Sequence, residues 1–81
     1  MTTKTTRQLN TIANEIFQDW EEKVYFGARP YLEAMTTLTD INQDFGYDSG
    51  ESIVRYFLAN AQTWKGDTAR RIKKELNAML K

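Results

Sequence analysis

Residues 9–24 read LNTIANEIFQDWEEKV. Its apolar residues recur at steps of three and four, which is the spacing of one face of an α-helix. That face consists of Leu9, Ile12, Ala13, Ile16, Phe17, Trp20 and Val24. We therefore expect an amphipathic helix from about residue 6 to residue 23, packed through this face against the rest of the chain.

Three further segments show the same helical spacing, and no segment alternates as a strand would. The second begins near Pro30 and extends to Asp40 or Phe45, the third begins after Gly50, and the fourth follows Gly66. Their apolar residues are Tyr31, Ala34, Met35, Leu38, Ile41 and Phe45, then Ile53, Val54, Phe57, Leu58 and Ala61, then Ala69, Ile72, Leu76, Met79 and Leu80. The prediction is an all-α protein, a compact three- or four-helix bundle that forms a single domain over residues 1–81.

Residues at the segment ends suggest how the helices start and stop. Asp48, followed by Glu51 three residues later, is the expected N-cap of the third helix, and Asp67 that of the fourth. Gly46 would end the second helix, with Tyr47 packing back on its last turn.

Composition excludes several chemistries. The 81 residues include no cysteine and no histidine. Disulfides, thiolate nucleophiles, the commonest general base and the commonest transition-metal ligand are therefore absent. The four glycines are scattered and form no phosphate-binding loop. We expect no enzyme, no catalytic residue and no cofactor.

Nothing in the sequence is typical of a targeting or membrane segment. The first residues, MTTKTT, are not followed by the apolar stretch of a signal peptide. No apolar run approaches the ~20 residues that span a bilayer. The sequence predicts a cytoplasmic protein without membrane contact.

Charges are segregated along the chain although the net charge is zero. Residues 1–52 hold four bases and nine acids, a net −5, whereas residues 53–81 hold seven bases and two acids, a net +5. The acidic first helix is expected to pair with the basic fourth helix. The same two halves could also dock between copies, so a homodimer is a further hypothesis, to be tested by sedimentation at two concentrations and two salt levels.

Residues 40–51 read DINQDFGYDSGE, which is close to the calcium-binding loop of an EF-hand. Oxygen-bearing side chains occupy loop positions 1, 3, 5, 9 and 12: Asp40, Asn42, Asp44, Asp48 and Glu51. The sharp turn at position 6 requires glycine, but Phe45 stands there and Gly46 follows one residue late. Acidic and amide side chains also accumulate at helix ends because they accept backbone N–H groups. Calcium binding and ordinary capping are both open hypotheses.

The basic C-terminal third is a candidate phosphate-binding surface. The third and fourth helices, joined near Gly66, would form a helix-turn-helix that presents basic side chains to nucleic acid. The candidate contacts are Arg55, Lys65, Arg70, Arg71, Lys73 and Lys74. Nucleic-acid-binding domains usually carry a basic excess, which this chain lacks. Nucleic-acid binding is therefore the alternative prediction.

Aromatic residues near the first turn favour a protein-binding surface. The chain has ten aromatic residues, and half of them lie on the apolar helix faces, where a core role is expected. Tyr25, Phe26 and Tyr31 flank the Gly27–Pro30 turn, and Tyr56 lies beside the third helix's apolar face. Tyrosine and arginine are enriched at binding hot spots. The predicted protein-binding residues are Tyr25, Phe26, Arg29, Tyr31 and Tyr56. Partial burial at the end of a bundle is the structural alternative.

Three stretches, GARPYLEAM at 27–35, SIVRYFL at 52–58 and TWKGDTARRIK at 63–73, resemble small uncharacterised proteins encoded by bacteriophages and prophages. The resemblance implies action in the cytoplasm of a bacterial host cell, by binding a host protein or nucleic acid, and brings no catalytic residues. The sequence thus predicts a non-enzymatic helical binding protein that acts through protein–protein contact. Its alternatives are a nucleic-acid-binding protein and a single calcium-binding helix–loop–helix.

Overall fold

The structure, a computed structural model, describes residues 7–80. In chain order it contains α1 Leu9–Trp20, a 3₁₀ turn Glu21–Lys23, α2 Arg29–Met35, β1 Asp44–Phe45, β2 Asp48–Ser49, α3 Gly50–Ala59 and α4 Asp67–Met79. The four predicted helical segments and the mostly helical fold class are confirmed. The expectation of no strand is wrong, because β1 and β2 form a small antiparallel hairpin in which Asp44 pairs with Ser49 and Phe45 with Asp48.

One cluster of buried apolar side chains joins all four helices. The predicted apolar faces of α1, α3 and α4 supply most of it. The connection between α3 and α4 adds Trp64, which is 2% exposed and stacks on Trp20 with ring centroids 5.6 Å apart. The Trp64 indole Nε1 donates to the Asp19 carboxylate at 2.8 Å. Trp64 is therefore a core residue, although the sequence places it in a break between helices.

The second helix is shorter than its apolar spacing predicts. It ends at Met35, and the hydroxyls of Thr36 and Thr37 donate to the carbonyls of Glu33 and Ala34 at 2.6 and 2.8 Å. These side chains take up carbonyl groups that another helical turn would have used. The prediction that this helix extends to Asp40 or beyond is wrong.

The chain after α2 returns to the start of α1. The backbone N–H groups of Leu9 and Asn10 donate to the carbonyls of Thr39 and Leu38 at 3.1 and 2.9 Å. A distant loop therefore satisfies two of the donors that a helix N-terminus leaves unpaired.

The predicted N-caps are each displaced by one residue. Ser49 caps α3, since its hydroxyl accepts the Ser52 N–H at 3.1 Å, whereas Asp48 lies in β2. Gly66 holds the N-cap position of α4 with φ +113°, and Asp67 is the first helical residue.

The hairpin turn places two aromatic side chains in solvent. Gly46 has φ +63° at the first turn position, where two-residue hairpin turns favour glycine. Phe45 is 43% exposed and Tyr47 is fully exposed. The prediction that Phe45 lies on the apolar face of a long second helix, with Tyr47 packed on its last turn, is wrong because that helix ends at Met35. Within residues 7–80, no helix has the length and apolar content needed to cross a membrane.

Candidate functional site

Four of the five predicted protein-binding residues form two aromatic pairs. Tyr31 on α2 and Tyr56 on α3 have ring centroids 5.3 Å apart, with ring planes inclined by 38°. Tyr25 and Phe26, in the connection before α2, have centroids 4.9 Å apart. We call the surface formed by these four residues the tyrosine face.

Asn60, at the end of α3, contacts the backbone of Tyr56 and lies near Gly27, between Phe26 and the turn that follows. Its side-chain amide donates to the Tyr56 carbonyl at 2.9 Å. The position that a Cβ on Gly27 would take lies 3.1 Å from the Asn60 Oδ1 and 2.6 Å from the Tyr25 ring. The missing side chain at Gly27 thus lets the Tyr25 ring lie beside the end of α3. An open depression of about 390 Å³ borders this point and is lined by Tyr25, Ala59, Asn60, Gln62 and Thr63.

The aromatic rings of the tyrosine face are accessible to a partner. Phe26 is 79% exposed, Tyr56 49% and Tyr25 42%, while Tyr31 is half-buried. All the large hydrophobic side chains that are exposed within residues 7–80 are aromatic. Solvent-exposed aromatic side chains grouped on one face are typical of interaction surfaces.

Arg29, the fifth predicted residue, lies at the edge of this surface and turns toward α1. Its guanidinium carbon is 5.9 Å from the Phe17 ring centroid, and its Nε pairs with Glu33 at 3.1 Å. Tyr31, two residues later, points to α3 instead. The structure therefore brings four of the five predicted residues together in two pairs and directs the fifth, Arg29, toward α1.

Two of the predicted phosphate-binding arginines pair with acids on their own helices. Arg55 contacts Glu51 on α3 at 2.8 Å, and Arg70 contacts Asp67 on the first turn of α4. Side chains three or four residues apart meet on a helix surface, so both pairs form locally. A phosphate would compete with a carboxylate for either guanidinium.

A third candidate, Arg71, belongs to an ion-pair network between α1 and α4. Arg71 contacts Glu15, and Arg7 contacts both Glu15 at 2.8 Å and Glu75 at 2.7 Å. Hydrogen bonds from Arg7 and then Arg71 lower the pKa of Glu15, despite an opposing contribution from its desolvation. Hydrogen bonds to Glu75 and Glu15 raise the pKa of Arg7. The predicted pairing of these helices by charge is confirmed.

Lys73 is directed into the molecule rather than toward solvent. Its ammonium donates to the Trp64 carbonyl at 2.7 Å and lies 5.9 Å from the Trp64 ring centroid. Burial lowers the pKa of Lys73, and the nearby charge of Lys65 lowers it further. Lys65 and Lys74 are exposed.

The connection between α3 and α4 comprises residues 60–66. A DNA-binding helix-turn-helix joins its helices by three or four residues, so these two helices are joined by a longer segment than that motif uses. The predicted basic residues are consequently spread over several environments instead of forming one exposed row.

The predicted calcium loop is folded around the hairpin. Asp40 accepts the Asn42 N–H at 2.7 Å, and Glu51 pairs with Arg55. Among the described residues, no group of three or more acidic side chains lies close enough together to hold a metal ion. Calcium binding remains a prediction, and it would require Glu51 to leave Arg55 and the hairpin to rearrange.

Comparison with known proteins yields no relative. No protein-family model matches the chain, and neither a curated protein nor a solved structure matches it.

Sequence reasoning missed Phe45 and Tyr47 as surface residues. The signal was present, since Gly46 stands between two aromatics with aspartates on both sides, and glycine between strand-forming residues indicates a hairpin turn. The helical spacing from Tyr31 to Phe45 concealed it.

Proposed function

We propose that this chain is a non-enzymatic binding protein, a compact helical-bundle scaffold that acts through protein–protein contact at the tyrosine face. The observation that carries the proposal is the exposure of Tyr25, Phe26 and Tyr56, together with an open depression that Tyr25 lines. Aromatic side chains offer a large contact area at a small cost in conformational entropy. The mechanism is occlusion or recruitment of the partner.

The state of the basic residues supports this choice over nucleic-acid binding. Arg55, Arg70 and Arg71 each pair with a carboxylate, and Lys73 donates to a backbone carbonyl. A phosphate backbone would have to displace these partners. The proposed setting, the cytoplasm of a bacterial cell that carries a phage, rests on the sequence resemblance alone.

A pull-down of tagged protein from bacterial lysate, with and without nuclease, tests the proposal. We expect a protein band that survives nuclease and high salt. Phe26→Ser and Tyr56→Ser should each lower the affinity for the purified partner by about 30-fold or more, which is the effect of losing a hot-spot side chain. Circular dichroism checks that both variants are folded.

The matched control is the double variant Lys65→Gln/Lys74→Gln, which removes exposed positive charge and leaves the aromatics intact. It should bind the partner as the wild type does. The nucleic-acid alternative would instead be established by three results together. Nucleic acid would be recovered, binding would weaken steeply with salt through counterion release, and this variant would lose binding.

A further inference from the structure

The hairpin Asp44–Ser49 exposes two aromatic rings that the fold does not use. Tyr47 is fully exposed and Phe45 is 43% exposed, and neither belongs to the buried cluster. Strands of two residues are marginal without support. An exposed aromatic at such a place offers contact area without contributing to the core.

Hydrogen bonds of Gln43, rather than these rings, hold the hairpin in place. The Gly50 N–H donates to the Gln43 carbonyl at 2.6 Å. The Gln43 side-chain oxygen in turn accepts the Thr39 hydroxyl at 2.7 Å and the Asp40 N–H at 3.2 Å. Changes at Phe45 or Tyr47 should therefore leave the hairpin folded.

The segment that carries the two rings has charged residues of one sign only. Residues 40–51 contain four acids and no base. Asp40, Asp44 and Asp48 are exposed. Within residues 7–80, the structure shows an ion pair to only one of the four acids, between Glu51 and Arg55. Asp44 and Asp48, which flank the rings in the chain, are exposed and enter no ion pair within residues 7–80, so a complementary partner would be positively charged.

We propose that this hairpin is a docking element for a positively charged amphipathic segment of a partner protein. A lysine or arginine side chain would pair with Asp48, which lies opposite Phe45 in the strand register, and apolar side chains beside it would cover Phe45 and Tyr47. Asp44, on the other face of the hairpin, would add to the attraction. The carboxylates would orient the partner segment and raise its association rate, and the aromatic rings would supply contact area. The surface shares no residue with the tyrosine face, so it goes beyond the proposed function and can fail separately from it.

An NMR titration of the isotope-labelled protein tests the inference. The probe is the amphipathic peptide KLAKLAKKLAKLAK, and its counterpart ELAELAEELAELAE keeps the apolar residues and reverses the charge. We expect the lysine peptide to shift amide signals in residues 44–49, with an affinity that falls as salt is added. The glutamate peptide should cause no shift.

Two hairpin variants and one control separate the contributions. Asp44→Asn/Asp48→Asn and Tyr47→Ser should each weaken binding by about tenfold. Tyr25→Ser, on the tyrosine face, should bind as the wild type does. The proposal would be overturned if the hairpin variants bound the lysine peptide as tightly as the wild type, or if no binding occurred. It would also be overturned if the shifts were centred on the tyrosine face or spread over the other acidic residues.

Discussion

Gly50 shows how a single residue joins two parts of the fold. A Cβ at this position would lie 2.9–3.0 Å from the carbonyl oxygens of Asp40, Ile41 and Gln43. Those oxygens belong to the backbone, which cannot shift as a flexible side chain can. The loop before the hairpin therefore packs directly on the first residue of α3, and glycine is required for the approach rather than for its backbone angle.

We predict that Gly50→Ala destabilises the protein by about 1–3 kcal/mol, the usual cost of overpacking. Helix propensity alone favours alanine by about 1 kcal/mol, so the two effects have opposite signs. Urea unfolding of the wild type and of Gly50→Ala measures the difference in their free energies of unfolding. Ala59→Gly, at the exposed end of the same helix, is the control for propensity, and a more stable Gly50→Ala protein would contradict the contact geometry.

At the scale of the element, the start of α3 differs from the start that its sequence suggests. Both Asp48 and Ser49 are residues that commonly cap helices. The hairpin register pairs Asp48 with Phe45 and holds it in β2, which leaves Ser49 to accept the Ser52 N–H. The pairing of β1 with β2 therefore makes Ser49, rather than Asp48, the N-cap of α3.

Ser49→Ala should lower the free energy of unfolding by about 1 kcal/mol, as the loss of a helix N-cap usually does. Asp48→Ala, one residue earlier, should change it by less than about 0.5 kcal/mol, since Asp48 is an exposed residue. Thermal unfolding of the two variants compares them directly. A larger loss in Asp48→Ala would restore the sequence-based assignment of the cap.

At the scale of the whole molecule, the two oppositely charged parts of the chain meet between α1 and α4. Glu15 lies between Arg7 and Arg71, and Arg7 reaches on to Glu75. The segregation of charge along the sequence is thus partly cancelled within the fold. This leaves less free charge on α4 for an external partner than the sequence suggests.

This network predicts an acid-dependent loss of stability. The pKa of Glu15 is lowered from its ordinary value of 4.5, so the unfolded chain takes up a proton at a higher pH than the folded one. The contribution of Glu15 to the free energy of unfolding is fully present above its ordinary pKa of 4.5, and it is lost as the pH falls through the lower pKa of the folded state. Glu15→Gln should lose about 1 kcal/mol near neutral pH and show a shallower decline below pH 4.5.

Urea unfolding at a series of pH values checks this expectation. Glu22→Gln, an exposed position near the end of α1, is the control for removal of one negative charge. Parallel pH profiles for the wild type and Glu15→Gln would show that the network contributes nothing to acid sensitivity.

Apolar spacing and composition were sufficient to predict three of the helix faces and the residue types that the chain lacks. The faces of α1, α3 and α4 follow from apolar spacing, because a helix in a small domain must bury one continuous side. The absence of histidine and cysteine excludes whole classes of site. Tyr25, Phe26 and Tyr56 could also be predicted as surface residues, since they lie outside those faces.

Features that depend on residues far apart in the chain are visible only in the folded structure. The carbonyls of Leu38 and Thr39 cap α1, and Trp64 becomes buried because Trp20 and Asp19 lie opposite it. The hairpin likewise replaces the end of the predicted second helix. Each outcome depends on a hydrogen bond or contact whose partner lies many residues away, and local spacing carries no information about that partner.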